Sequence, residues 1–272
     1  MEINRNNIVQ LINDFYTRPD KDYGQNFLID PNLSQKIVES LNISKDENVL
    51  EVGPGMGSLT HFISNYDCSY VGVDIDERMI NFLNFNYKND NITFMQRDIR
   101  KFDLSNFDKI ISNIPYNITT ELISFVLLNT DKCKKMVLMC QSETVRHFID
   151  ISGKEYGPVS VLIHLLGNIK TLFTVKPGSF YPSPKCNSTV FEINIKSDVD
   201  RKIVGETYSF CKKMFLNRRK TILNNLLNNL KDKDLALSIL KHSGISETKR
   251  PEEIKPGEYL EFYKCYVKEK NI

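Results

Sequence analysis

Between residues 48 and 149 short apolar runs alternate with stretches of helical periodicity. That alternation constrains the fold more than any other feature of the chain. Asn48-Val49-Leu50-Glu51-Val52 reads as a strand, as do residues 69–73, 92–95, 107–112 and 136–140. Residues 58–65, 77–88, 120–128 and 143–149 between and after them carry helical patterns. Strand followed by helix, repeated in this way, predicts a parallel sheet covered on both faces. Upstream, Ile8, Leu11, Ile12 and Phe15 predict a short helix over 7–16, and 22–30 reads as an ordered loop. Asp30 caps a helix that starts at Pro31 and runs to Leu41, with Ile37, Val38 and Leu41 inward.

After residue 150 the alternation weakens. Residues 159–166 are apolar and fit either helix or strand, while 169–175 and 189–195 read as a closing pair of strands around the proline-rich Pro177–Lys185 loop. From 200 onward only helical patterns remain. Ile222, Leu223, Leu226, Leu227 and Leu230 share one face, and Asn224, Asn225, Asn228 and Asn229 fall elsewhere. The break predicts two domains, 1–198 and 199–272.

The first strand runs into Gly53-Pro54-Gly55-Met56-Gly57, where glycines permit a tight turn and let a ligand approach the backbone. Asp74 ends the next strand, 21 residues after Gly53, the distance at which a carboxylate meets a nucleoside's ribose hydroxyls. A dinucleotide fingerprint asks for glycine at 58, where this chain has Ser58. The acidic residue Glu51 followed by G-x-G-x-G suits S-adenosylmethionine instead, a cation with no phosphate for a helix N-terminus to hold. Asp98, at the end of the third strand, is placed to accept from an adenine amine.

The fourth strand leads into Asn113-Ile114-Pro115-Tyr116. An amide oxygen and a main-chain carbonyl accept hydrogen bonds from a base's amino group, and an aromatic ring stacks on the base. Proline fixes φ and biases the residue before it toward extended backbone.

Composition narrows the partners. With 41% hydrophobic and 26% charged residues the chain is an ordinary soluble type. No apolar run approaches a membrane span, and the N-terminus lacks a signal-peptide pattern, which predicts a cytoplasmic protein. Six cysteines without C-x-x-C spacing or a histidine cluster predict neither a metal site nor a disulfide framework. Residues 200–272 hold 16 Lys and Arg against 10 Asp and Glu, whereas the rest of the chain holds 20 against 24. A basic tail on a mildly acidic body predicts a polyanion contacted through Lys212, Lys213, Arg218, Arg219 and Lys220.

Six strings together resemble one family: Gly24-Gln25-Asn26-Phe27-Leu28, Glu51 to Gly57, Asn113 to Ile118, Tyr156-Gly157, Phe180-Tyr181-Pro182-Ser183-Pro184-Lys185, and Asn217 to Ile222. The chain is similar over nearly its whole length to the ribosomal RNA adenine dimethyltransferases that modify paired adenines near the 3′ end of small-subunit (16S) RNA. The resemblance implies an α/β, Rossmann-like methyltransferase sheet with a small all-helical C-terminal domain. It implies that Gln25, Asn26, Leu28, Glu51, Gly53, Gly55, Asp74, Asp98 and Asn113 surround S-adenosylmethionine. It implies a target adenine held between Tyr116 and Phe180, its amine donating to the Asn113 side chain and the Ile114 carbonyl beside Pro115. The implied partner is small-subunit ribosomal RNA in an assembling subunit; nothing in the sequence demands a dimer, and a monomer is expected. Asp74 stands where the family more often has Glu, Ser112 where Gly precedes the Asn, and Gln141-Ser142-Glu143 where a basic residue is usual. Two other readings share these motifs: a large-subunit (23S) adenine methyltransferase conferring macrolide resistance, and a non-catalytic RNA or transcription factor on the same fold.

Overall fold

The computed structural model describes residues 9–10, 26–114 and 118–270. The helix expected over 7–16, together with Gln25, Pro115 and Tyr116, therefore falls largely or wholly outside the described residues. The chain divides into two compact units, one of residues 1–145 and 170–195, the other of 146–169 and 196–272.

The first unit begins with β1 (Phe27–Leu28), then α1 (Pro31–Leu41). Asp30 caps α1 by accepting from the backbone N–H groups of Asn32 and Leu33 at 3.1 and 3.3 Å. Ile37, Val38 and Leu41 are buried as their spacing predicts. β2 (Asn48–Val52), α2 (Thr60–Ile63), β3 (Ser69–Asp74), α3 (Glu77–Asn86), β4 (Ile92–Gln96) and β5 (Lys109–Asn113) follow. Then come α4 (Thr119–Asn129), β6 (Lys135–Gln141) and α5 (Ser142–Ile149). α2 is one turn, shorter than the expected 58–65. Part of that stretch belongs to the glycine turn.

The ambiguous apolar run is helix α6 (Pro158–Leu166), with Gly157 before it and Pro158 at its first position. Next are β7 (Gly167–Val175), β8 (Phe180–Tyr181) and β9 (Ser188–Ile195). The main sheet has the order β4-β3-β2-β5-β6-β9-β7, and β1 pairs with β8 in a separate ladder. β2, β3, β4, β5 and β6 are parallel, but β9 runs antiparallel to β6, with Leu138 opposite Phe191. The sheet is thus mixed, not wholly parallel, and β7 and β9 are neighbours in it, as the closing pair requires. Val49, Leu50, Ile110, Ile111 and Val137 are fully buried, the continuous apolar character of strands covered on both faces. Strand order reverses between β2 and β5, so the carboxyl ends of β2, β3, β4 and β5 open on the crevice where such sheets bind ligands.

The second unit contains α6 with α7 (Arg201–Phe215), α8 (Ile222–Leu230), α9 (Lys233–His242) and α10 (Pro256–Lys270). It takes in 146–169 as well as the tail because Tyr156 and Val161 bury in the same cluster as Phe210, Met214, Ile222, Leu226, Tyr259 and Phe262. The hydroxyls of Tyr156 and Tyr259 donate to the carbonyls of Ile254 and Pro251, each at 2.9 Å, which satisfies the polar ends of two fully buried rings. Asn225 departs from the polar-face expectation. It is 1% exposed, and its amide donates to the carbonyls of Asn217 and Thr221 at 3.1 Å, closing the turn into α8.

Candidate cofactor and base site

The glycine turn leaves β2 with Gly53, Gly55 and Gly57 all at positive φ. Gly57 is the most constrained: at φ +81° an added Cβ would lie 2.9 Å from Leu83 Cδ2. At Gly55 a Cβ would come 3.2 Å from the Phe27 ring. Gly53, Pro54 and Gly55 of this turn line a cavity of about 210 Å³. Asn26 and Leu28 come to its wall from the β1 segment, Glu51 and Gly53 from β2, and Asp74, Asp98 and Asn113 from three further strand ends. Of the expected cofactor residues, only Gln25 lies outside the described set.

Glu51 is 1% exposed. Its Oε2 accepts from the Tyr70 hydroxyl at 2.6 Å and from the Thr60 hydroxyl at 2.8 Å. Burial pushes its carboxyl up from 4.5 to about 7 against those two bonds, and the nearby Asp74 charge adds to the rise. Asp74 is half-buried at the end of β3. Its two oxygens accept from the backbone N–H of Asp76 at 2.9 Å and of Gly55 at 3.3 Å, tying the strand end to the glycine turn. Desolvation raises its pKa, and these N–H bonds oppose the rise.

Asp98 lines the cavity, but Arg100 occupies both its oxygens, with Nε at 2.9 and 3.1 Å and Nη2 at 2.7 Å. Those bonds hold the Asp98 carboxyl below its usual range. Arg100 also reaches Glu121 at 3.4 Å. An adenine amine at Asp98 would share that carboxylate with a guanidinium. Arg100, Glu121, Thr60 and Tyr70 lie outside the sequence motifs. The only sequence signal was the two-residue spacing of Asp98 and Arg100, typical of a short-range Asp cap.

Asn113 ends β5 and lines the cavity. Its Nδ2 donates to the Asn26 carbonyl at 3.2 Å, which fixes the amide plane and leaves Oδ1 as the acceptor. Ser112, in place of the family's usual glycine, is fully buried, and its hydroxyl donates to the Val52 carbonyl at 2.6 Å. Ile114 is buried and its N–H donates to the Met139 carbonyl at 3.0 Å. Phe180 pairs with Leu28 across the β1–β8 ladder but is only 3% exposed, packed in the hydrophobic cluster of this unit. A base stacking there would need one face of that ring uncovered.

In the helical unit Lys213, Arg219 and Lys220 are exposed. Lys212, also exposed, lies with Nζ 4.6 Å from the Tyr208 ring centre. Arg218 is placed differently. Its Nη2 donates to the carbonyls of Gly153 and Lys154, and its Nε lies 3.4 Å from Glu252 Oε2. Its guanidinium is engaged with its own unit. Among the described residues no group of three or more His, Cys, Asp or Glu is placed to hold a metal, and no helix is long and apolar enough to cross a membrane.

A mixed sheet whose five parallel strands carry a glycine turn after the first, a carboxylate at the end of the second and an oriented amide at the end of the fourth defines an S-adenosylmethionine-dependent methyltransferase. The residues lining the cavity fit that cofactor: glycine backbone at Gly53 and Gly55, the Asp74 carboxylate and the buried Glu51. Residues 17–268 match the ribosomal RNA adenine dimethylase family, and the chain belongs to it. It is 39% identical over 243 residues to a Ribosomal RNA small subunit methyltransferase A from Malacoplasma penetrans, covering 87% of this chain and 88% of that one. A protein of the same description from Mycoplasma capricolum is 34% identical over 255 residues, covering 89% and 96%. Among solved structures, a dimethyladenosine transferase from Plasmodium falciparum superposes with a TM-score of 0.75 at 24% identity, covering 89% of this chain and 97% of its own. The 23S rRNA methyltransferase ErmE superposes at 0.67 with 20% identity, covering 89% and 100%. Those two likenesses are of fold.

Proposed function

We propose that this enzyme dimethylates the 6-amino groups of two adjacent adenines near the 3′ end of small-subunit ribosomal RNA, acting in the cytoplasm as a monomer on an assembling subunit. The observation that carries the reading is the Asn113 amide, tied through Nδ2 to Asn26 so that Oδ1 is the group left to accept from a base amine at the cavity. The curated relatives named for the small subunit support the choice of RNA.

When bound, S-adenosylmethionine supplies a methyl group on a cationic sulfur. The chain's own work is to prepare the nucleophile. An adenine amine is weakly nucleophilic because its lone pair is delocalised into the ring. Two acceptors, Asn113 Oδ1 and the Ile114 carbonyl, favour a pyramidal nitrogen whose lone pair is freed for the methyl. Such a site works by position and preorganised dipoles, with no strong base. Tyr116 lies two residues beyond Ile114 in sequence, and stacking by it, and by Phe180 once one face of that buried ring is uncovered, offsets the cost of unstacking the target from its neighbours. Gly53, Gly55, Asp74 and Leu28 hold the adenosine end of the cofactor. Lys212, Lys213, Arg219 and Lys220 meet phosphates.

The test is methyl transfer from labelled cofactor to small-subunit and large-subunit precursors supplied separately, followed by mapping of the modified bases. Label at paired adenines near the small-subunit 3′ end supports the reading. Label confined to the large subunit overturns the choice of RNA, and no label on either supports the non-catalytic alternative.

A further inference from the structure

The mechanism uses Glu51 as a cavity wall but gives no part to the two hydroxyls bound to it. Their arrangement is built by the sheet. Register places Glu51 opposite Gly72 on β3, and a Cβ at Gly72 would stand 2.8 Å from the Tyr70 hydroxyl. The bare position leaves room for Tyr70 to reach Glu51 Oε2 at 2.6 Å. Thr60, at the start of α2, reaches the same oxygen at 2.8 Å, and the two hydroxyls lie 2.9 Å apart. Tyr70 and Thr60 are 2% and 0% exposed. Both donors thus fall on one carboxylate oxygen, and Oε1 is left to whatever enters the cavity. A sulfonium has no N–H to donate to that oxygen; an ammonium has three.

We propose that Thr60 and Tyr70 are positioning residues that hold Glu51 with Oε1 presented to the ammonium of the cofactor's amino-acid tail, so that the ammonium and Glu51's own proton compete for that oxygen. The proposal rests on Glu51 belonging to the cofactor site. In the neutral acid the proton sits on Oε1, because Oε2 already receives two hydrogen bonds. When the ammonium arrives, that O–H bond breaks, the proton leaves to solvent and a carboxylate–ammonium pair remains. The titratable groups facing Glu51 are Tyr70 and Asp74 from β3 and Tyr87 after α3. Burial and the Glu51 charge keep both tyrosines neutral, while the Asp74 charge raises Glu51 further, so the competition falls near neutral pH.

Calorimetric binding to the full chain tests this without turnover, using S-adenosylhomocysteine, which keeps the ammonium but has no sulfonium, and methylthioadenosine, which has neither. Wild type should bind S-adenosylhomocysteine about tenfold more tightly at pH 8 than at pH 6, with proton release into buffer at pH 6. Methylthioadenosine binding should be flat with pH. Tyr70→Phe and Thr60→Val should each weaken S-adenosylhomocysteine several-fold and move its pH midpoint upward, leave methylthioadenosine unchanged, and Thr60→Ser should restore wild-type behaviour. A flat wild-type profile without proton release, no effect of either variant, or equal weakening of both ligands by either variant overturns the proposal. If neither ligand binds the wild type, or if Glu51→Ala changes neither affinity, the placing of Glu51 in the cofactor site fails as well, and the proposal with it.

Discussion

At Glu51 the folded protein holds a carboxyl in surroundings that favour its neutral form. Its pKa rises from 4.5 to about 7, so the native state binds this proton more tightly than the unfolded chain does. The stabilisation is fully present below pH 4.5 and is lost as pH rises through 7, a loss of about 3 kcal/mol from this group alone. Glu51→Gln keeps an acceptor for Tyr70 and Thr60 and removes the titration. Denaturant unfolding of the cofactor-free chain should show a flatter decline from pH 5 to 8 in Glu51→Gln than in wild type, and greater stability of the variant at pH 8. Equal slopes would mean that the carboxyl titrates as an exposed one. Asn113 makes a separate prediction. Asn113→Ala removes the oriented acceptor, and single-turnover methyl transfer should fall at least about a hundredfold. RNA affinity measured by filter binding should stay within about threefold, since base contact supplies little of the phosphate-dominated binding. Near-normal turnover would sink the role given to the amide. Gln25, Pro115 and Tyr116 were legible only as sequence. The reason Asn113 presents Oδ1 is its bond to Asn26, a partner 87 residues away that no motif could reveal.

The element that decides the cavity's shape is the turn from β2 to α2. Its three glycines are not equivalent. Gly53 has open space around an added Cβ, so Gly53→Ala pays only the left-handed backbone term, about 1–2 kcal/mol. Gly57→Ala adds a 2.9 Å clash with the fully buried Leu83, and its total should reach about 2–5 kcal/mol. Unfolding of the two variants side by side checks the order, which reverses if Leu83 shifts without strain. The strands around this turn could be located from their apolar runs, because burial on both faces leaves little else in them. The antiparallel course of β9 was not legible, since strand direction depends on how the chain returns to the sheet. Nor was the helix at 158–166, where a mostly apolar run fits either geometry until neighbouring helices cover it.

Across the whole molecule, the excess of positive charge lies in residues 200–272. The cations there divide by what the fold has already paired. Arg219→Ala with Lys220→Ala removes two exposed charges. It should weaken RNA binding at low salt and reduce the slope of log affinity against log salt by about 1–2, with unfolding unchanged. Arg218→Ala should behave in the opposite way, losing about 1–3 kcal/mol of stability as the Gly153 and Lys154 carbonyls lose their donor, with little change in salt slope. An unchanged slope in the double variant would place the RNA elsewhere.

The sequence by itself determined the strand–helix alternation, the glycine turn with its downstream carboxylate, the amide at the fourth strand end and the basic tail. Each is a local pattern of polarity or backbone freedom, written in residues close together along the chain. Only the tertiary structure decided which donors load Glu51, that Arg100 sits on Asp98, that Phe180 is packed, and that Arg218 is engaged while Arg219 is exposed. Most of those outcomes depend on pairings between residues far apart in the chain, and strand register and burial set them where composition and spacing do not.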